Sequence, residues 1–168
     1  MNGSRMTGWP GEVIDSGKAS RVITGLGWPE PGRSEASHRV VVGIDGSPGS
    51  LATLRRAVAQ ARRRHADLEI VHAVPENASA GAVAEAHVML GRMVAQEYPE
   101  GLTVPVRWRV ERGEPARVLA RASAGADLLV LCGESRPGNS GRPGDVLRRV
   151  LRIACCPVDS CAGGPDQV

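Results

Sequence analysis

The chain has 168 residues, 42% hydrophobic and 23% charged, which bounds it to one ordinary globular domain with a short appendage. With three Trp, one Tyr and no Phe, its core has to be built from Val, Leu, Ile and Ala. The net charge of +3, almost all of its cations arginine, comes without the basic, aromatic-interleaved stripe of a nucleic-acid reader, and no apolar run nears the ~20 residues of a membrane span.

Residues 1–37 are rich in Gly and Pro, with Trp-Pro repeated at Trp9-Pro10 and Trp28-Pro29. The apolar patches Val13-Ile14 and Val22-Ile23 are too short to build a core, so a mostly disordered N-terminal extension is expected. It lacks the apolar stretch of a secretory signal, which points to the cytoplasm. Val40-Val41-Val42-Gly43-Ile44 then reads as a strand buried on both faces. Asp45 follows at its carboxyl end, where open parallel sheets place their ligands. Gly46 supplies a turn, Ser47 an N-cap hydroxyl and Pro48 a first helical residue. Leu51, Leu54, Val58 and Ala61 mark one face of a helix ending near His65, and Arg62-Arg63-Arg64 suits its negative end.

Leu68 to Val74 is a second strand closed by Pro75; His72 inside it reads as a packed, hydrogen-bonded residue. Gly81 to Tyr98 is helical. Thr103 to Glu111 alternates Val104, Val106, Trp108 and Val110 with polar residues, an edge strand with one wet face, and Pro105 agrees with an edge. Gly113-Glu114-Pro115 opens a short helix through Val118, Leu119 and Ala122. Asp127 to Gly133 is a fourth, fully buried strand. After a glycine-rich loop, Asp145 begins a helix with Val146, Leu147, Val150, Leu151 and Ala154 on its apolar face. Pro157 to Cys161 is a short last strand, and residues 162–168 are a flexible tail. Strands alternating with helices imply an α/β fold, a parallel sheet wrapped on both sides. Cys132, Cys155, Cys156 and Cys161 cluster near the end of the chain and read as reduced thiols, Cys156 as a packing residue, with no ligand spacing for zinc.

Three segments in order resemble the universal stress protein family over residues 38–161: Val40-Val41-Val42-Gly43-Ile44-Asp45-Gly46-Ser47, Val110-Glu111-Arg112-Gly113-Glu114-Pro115-Ala116, and Val150-Leu151-Arg152-Ile153-Ala154-Cys155-Cys156-Pro157-Val158. The resemblance implies a Rossmann-like, open five-stranded parallel sheet of order 3-2-1-4-5. It also implies a homodimer through the last strand and, in one branch, an ATP-binding crevice between strands 1 and 4. By position, Gly43, Ile44 and Asp45 would face the nucleotide and Ala73 the adenine. Gly133 and Gly144 match the first and last glycines of a Gly-x2-Gly-x9-Gly-Ser/Thr phosphate loop, with Val146 just beyond.

The loop departs from that pattern. Arg136 replaces the second glycine, two residues are missing, and Asp145 stands where Ser or Thr belongs. A helix N-terminus attracts an anion by about 0.3 to 1 kcal/mol. A carboxylate about 4 Å from a phosphate at an effective dielectric of 20 repels it by roughly 4 kcal/mol. Asp145 can instead cap the helix itself, while Arg136 and Arg142 can reach a phosphate or neutralise Asp145. Two readings follow: an ATP-binding sensor or regulator, with Mg only alongside the nucleotide, or a nucleotide-free module acting through protein partners. No Gly-x-Ser-x-Gly, His-Glu-x2-His or Gly-x4-Gly-Lys-Ser/Thr motif and no acid–base pair marks an enzyme; weak ATP hydrolysis is the most the sequence supports.

Overall fold

The computed structural model describes residues 22–23, 38–133 and 144–161. Among these lie strands β1 (Val22–Ile23), β2 (Arg39–Gly43), β3 (Asp67–Val74), β4 (Val106–Arg112), β5 (Leu128–Cys132) and β6 (Val158–Cys161). The helices are α1 (Ser50–Arg64), α2 (Ala80–Glu97), α3 (Pro115–Ser123) and α4 (Asp145–Ile153). Every strand pairing is parallel, in the order β1-β4-β3-β2-β5-β6. Numbered along the chain, the five expected strands β2 to β6 stand in the order 3-2-1-4-5.

The sixth strand is a departure from the expected extension. Val22 sits opposite Val106 and Ile23 opposite Arg107. Two β-branched residues cannot make a core, but they can occupy two ladder positions along an otherwise unpaired edge. The rest of 1–37 and the tail 162–168, with the disorder expected of them, lie outside the described residues.

Two apolar layers sandwich the sheet. On one face Val40, Val42, Leu68, Ile70, Val106 and Trp108 pack against Leu54, Val58, Leu90 and Val94 of α1 and α2. On the other, Val41, Val71, Leu129 and Leu131 pack against Val118, Leu119, Leu147 and Val150 of α3 and α4. Val40, Val41 and Val42 have no exposed surface, as an apolar run central to a doubly wound sheet should. Each such side chain contributes about 1.5–3 kcal/mol.

Local chemistry sets the element ends. His65 stops α1 in the left-handed conformation, the Ser79 hydroxyl caps α2 through the Ala82 N–H, and the Glu114 carboxylate caps α3 through Ala116 and Arg117. β4 begins at Val106 rather than Thr103, because Pro105 has no N–H to give; its carbonyl accepts from Leu68 instead. The buried stripe of α4 is narrower than its periodicity suggested: Leu147 and Val150 are buried, whereas Val146 is 38% and Leu151 57% exposed. The helix leans on α3 more than on the sheet. Leu51 of α1 is likewise exposed.

Candidate functional site

β2 and β5 are hydrogen-bonded neighbours, Val40 to Val42 facing Leu128 to Val130. The chain leaves β2 for α1 on one face of the sheet and β5 for α4 on the other. Their carboxyl ends therefore part, and a crevice opens at the point where the strand order reverses. Asp45 and Gly133 flank it from the two strands.

Gly43 ends β2, and its lack of a side chain is a packing requirement: a Cβ would lie 2.5 Å from Leu131 and 2.8 Å from Leu119. Ile44 is buried; its N–H donates to the Val71 carbonyl (3.0 Å) and its own carbonyl accepts from His72 Nδ1 (2.7 Å). His72 is thus a hydrogen-bonded positioning residue, as its place in a strand suggested.

Asp45 does more than the sequence showed. Its Oδ1 accepts the Ser47 N–H (2.9 Å) and the Ser50 hydroxyl (3.0 Å), folding the 45–50 segment over the start of α1. Burial pushes this carboxyl up, but the bonds from Ser47 and Ser50 together outweigh it and hold it below the usual carboxylate range. Two expectations are corrected here. Ser47 is not the N-cap and Pro48 is not helical: α1 starts at Ser50, its N-cap is Gly49 with no side-chain cap bond, and the Ser50 N–H donates to Ser47 O across a turn. Gly46 makes that turn with φ at +77°, a conformation suited to glycine.

Ala73 sits near the carboxyl end of β3, half-buried on the α3 and α4 side. The Gly133 N–H donates to Cys161 O (2.7 Å), and a Cβ there would come within 3.1 Å of that oxygen, so this glycine lets β6 close on β5. Arg136 and Arg142 lie outside the described residues. Gly144 is the N-cap of α4 and supplies no side-chain bond.

Asp145 does not cap the helix, which corrects that expectation. It is the first helical residue, with a side chain 90% exposed and Oδ1 3.7 Å from Arg148 on the next turn. At that position the side chain runs outward, and water plus a neighbouring guanidinium weaken its field at the crevice well below the roughly 4 kcal/mol of a partly buried pair. The α4 ladder begins with the Arg148 N–H to Gly144 O, so the first-turn N–H groups stand outside it. Exposed Val146 flanks them.

A second hollow of about 720 Å³ lies beyond the 46–48 turn, walled by Leu51, Val88, Met89 and Met93 with Glu85 and Arg92 at its rim. It shares none of the crevice residues from β3, β5 or α4. Among the described residues no group of three or more His, Cys, Asp or Glu could hold a metal, and no helix is long and apolar enough to cross a membrane.

An open parallel sheet with a switch-point crevice between the Asp45 turn and a second helix N-terminus defines the class: a doubly wound α/β ligand-binding domain. The universal stress protein family profile matches residues 36–158. A universal stress protein of Mycobacterium tuberculosis is 35% identical over 166 residues, 92% of this chain and 52% of that protein. One from Mycolicibacterium smegmatis is 34% identical over 143 residues, 76% of this chain and 48% of the relative. The chain belongs to the universal stress protein family, and spans about half the length of these curated relatives. Among solved structures, a universal stress protein in complex with cAMP superposes with a TM-score of 0.62 at 28% identity, covering 77% of this chain and all of that one. UspA from Lactobacillus plantarum, at 20% identity and a TM-score of 0.58 over 75% of this chain and 99% of its own, shares the fold.

Proposed function

We propose that this domain is a cytoplasmic nucleotide-responsive regulator, which takes the adenosine part of ATP or a related adenine nucleotide at the crevice between β2 and β5. The observation that carries this reading is the adjacency of the Asp45 turn and the open first turn of α4 across neighbouring strands. The Ser47 N–H and the Ser50 hydroxyl converge on Oδ1 of Asp45, and a carboxylate held in this way suits a ribose hydroxyl or an adenine amino group. The first-turn N–H groups of α4, which lie outside its helical ladder, and its positive end suit a phosphate. The outward, Arg148-paired position of Asp145 removes the main objection that its residue type raised. The solved relative that holds cAMP supports an adenine nucleotide as the ligand class. Mg would enter only with a polyphosphate.

Calorimetry with ATP, AMP and cAMP on the purified chain tests the reading. Saturable 1:1 heat with at least one of them, diminished by Asp45→Ala, is the expected result. No heat from any of the three would leave the nucleotide-free, partner-binding reading in its place.

A homodimer through β6 is the accompanying proposal. Among the described residues β6 pairs with β5 along one side only, and Leu151 and Ile153 of α4 are 57% and 46% exposed. The charge of Asp159, which would oppose an apolar dimer strand, is taken up by Arg56 of the same chain at 2.8 and 2.9 Å. Light scattering should give twice the monomer mass for the wild type and the monomer mass for Leu151→Asp; a monomeric wild type refutes it.

A further inference from the structure

The carboxyl ends of β5 and β6 carry a pair of cysteines that the crevice does not use. Cys132 is the last residue of β5 and Cys161 the last of β6, and the parallel register sets them directly opposite each other. Cys155 and Cys156 lie before β6 begins, at the other end of that strand.

Both side chains of the pair lie on the α1 side of the sheet. Side chains alternate along a strand. Leu129 and Leu131 pack in the α3 and α4 layer and Leu128 and Val130 in the α1 and α2 layer, which puts Cys132 on the α1 side. On β6, Val158 packs against the α3 and α4 layer, whereas Asp159 is held by Arg56 of α1 and Cys161 Sγ lies 3.2 Å from Thr53 Oγ1 of α1. The same sulfur is 3.5 Å from Leu131 O, the carbonyl that precedes Cys132. Thr53 Oγ1 gives its one proton to Gly49 O at 2.8 Å, so the Cys161 S–H is the donor here. Cys161 rests as a reduced thiol pinned beside Cys132.

The spacing suits a bond. Neighbouring strands lie about 4.7–4.9 Å apart, and a disulfide takes Cα···Cα separations of about 4.4–6.8 Å. Its Cβ atoms prefer about 3.5–4.5 Å, slightly less than register partners have, so a bridge here forms under tension and is readily reduced. The strand ends already meet closely: the Gly133 N–H reaches Cys161 O at 2.7 Å, with no Cβ on that residue to hold β6 away. Cys132 and Cys161 are both half-buried, within reach of a small oxidant.

We propose that Cys132 and Cys161 are a peroxide-sensitive dithiol that closes into an intrachain disulfide between β5 and β6 and reopens on reduction. One sulfur, as thiolate, attacks hydrogen peroxide; the O–O bond breaks, a sulfenic acid forms and the departing hydroxide takes up the thiol proton as water. The second sulfur attacks the sulfenic sulfur, the S–S bond forms, and the sulfenic hydroxyl leaves with the second thiol proton as another water. Two thiols are oxidised by two electrons and one peroxide is reduced to two waters. Thiol–disulfide exchange with a small thiol or dithiol reverses the step, and transient bridges of this kind are the ones found in reducing compartments. The bridge ties β6 to the strand that leads into Gly133 and needs no nucleotide.

The test uses the full chain with Cys155→Ser and Cys156→Ser, which leaves the pair alone. Trypsin, cutting after Arg121, Arg148 and Arg152, then puts one cysteine on each of the peptides 122–148 and 153–168. After hydrogen peroxide and alkylation, free thiols should fall from two to none per chain, the two peptides should appear joined in protein that runs as a monomer without reductant, and dithiothreitol should restore both thiols. Two thiols that stay alkylatable, peptides joined only between copies, or sulfinic acid without a joined peptide would each overturn the proposal. In the wild type Cys132 is also alone on its peptide and should be lost to alkylation to the same extent. A Cys132 that stays alkylated there while the 153–168 peptide is oxidised would equally overturn it.

Discussion

Replacing Glu69 by Gln tests what holds the outer part of the sheet together. The change preserves shape and one acceptor oxygen but removes the buried charge that the guanidinium groups of Arg39, Arg107 and Arg109 share. Removing one partner of a buried ion pair costs about 3–5 kcal/mol, because the remaining charges are left without compensation. Here the arginines are 20% to 40% exposed and recover part of their hydration, so the loss falls at the low end, about 3 kcal/mol. With a urea slope of about 1.5 kcal/mol/M, the unfolding midpoint should fall by roughly 2 M. Glu97→Gln is the control: it removes the ion pair to Arg55, a side chain 52% exposed, and should cost about 0–1 kcal/mol. Urea titrations followed by circular dichroism decide the matter. If Glu69→Gln and Glu97→Gln lower the midpoint equally, the cluster is surface electrostatics and the reasoning from burial fails.

Three further outcomes follow from the geometry. Asp45→Ala should cost about 1–2 kcal/mol at pH 7, as the loss of hydrogen bonds to a partly exposed charged group does; because the folded-state carboxyl is depressed, its contribution is complete above about pH 4 and fades as pH falls through the folded value, so the gap between mutant and wild type should close in acid. A gap in urea midpoints that stays constant down to the acid limit would contradict this. Asp145→Ser should tighten ATP two- to fivefold, the range set by about 0.3–1 kcal/mol at an exposed helix end, and equal affinities by calorimetry would show that Asp145 does not act on the ligand. Cys155, exposed, should take up a maleimide before Cys156, whose thiol is pushed up by burial and by Cys155 beside it; peptide mapping that finds Cys156 labelled first would reverse that ranking.

The central sheet was legible because its signal is local. Val40 to Val42 and Leu128 to Val130 are unbroken apolar runs that can survive only in the middle of a doubly wound sheet, and their neighbouring strands follow from the βα alternation together with the family resemblance. The Glu69 cluster was not legible. Its members come from three strands, β2, β3 and β4, far apart in sequence, and the alternation in 103–111 showed only a wet face, with no sign of what that face would pair with. Asp45 was singled out by position, yet its bonds to Ser47 and Ser50 depend on the turn at Gly46, which residue type leaves open. Asp145 was misread as a cap because an acid at a helix start serves as N-cap or first-turn residue depending on a one-residue shift in the boundary. Val146 and Leu151 fit the helical period, but how much of a stripe is buried depends on what the helix leans against.

The short pairing of Val22 and Ile23 with β4 bears on how this protein is produced. An expressed version starting at residue 38 would keep both apolar layers, yet it would bare the outer N–H and C=O groups of the first positions of β4 beside a band of guanidinium groups. Stray strands and polyanions would find a template there, so trimming the leader as superfluous would cost solubility and yield before it cost the fold.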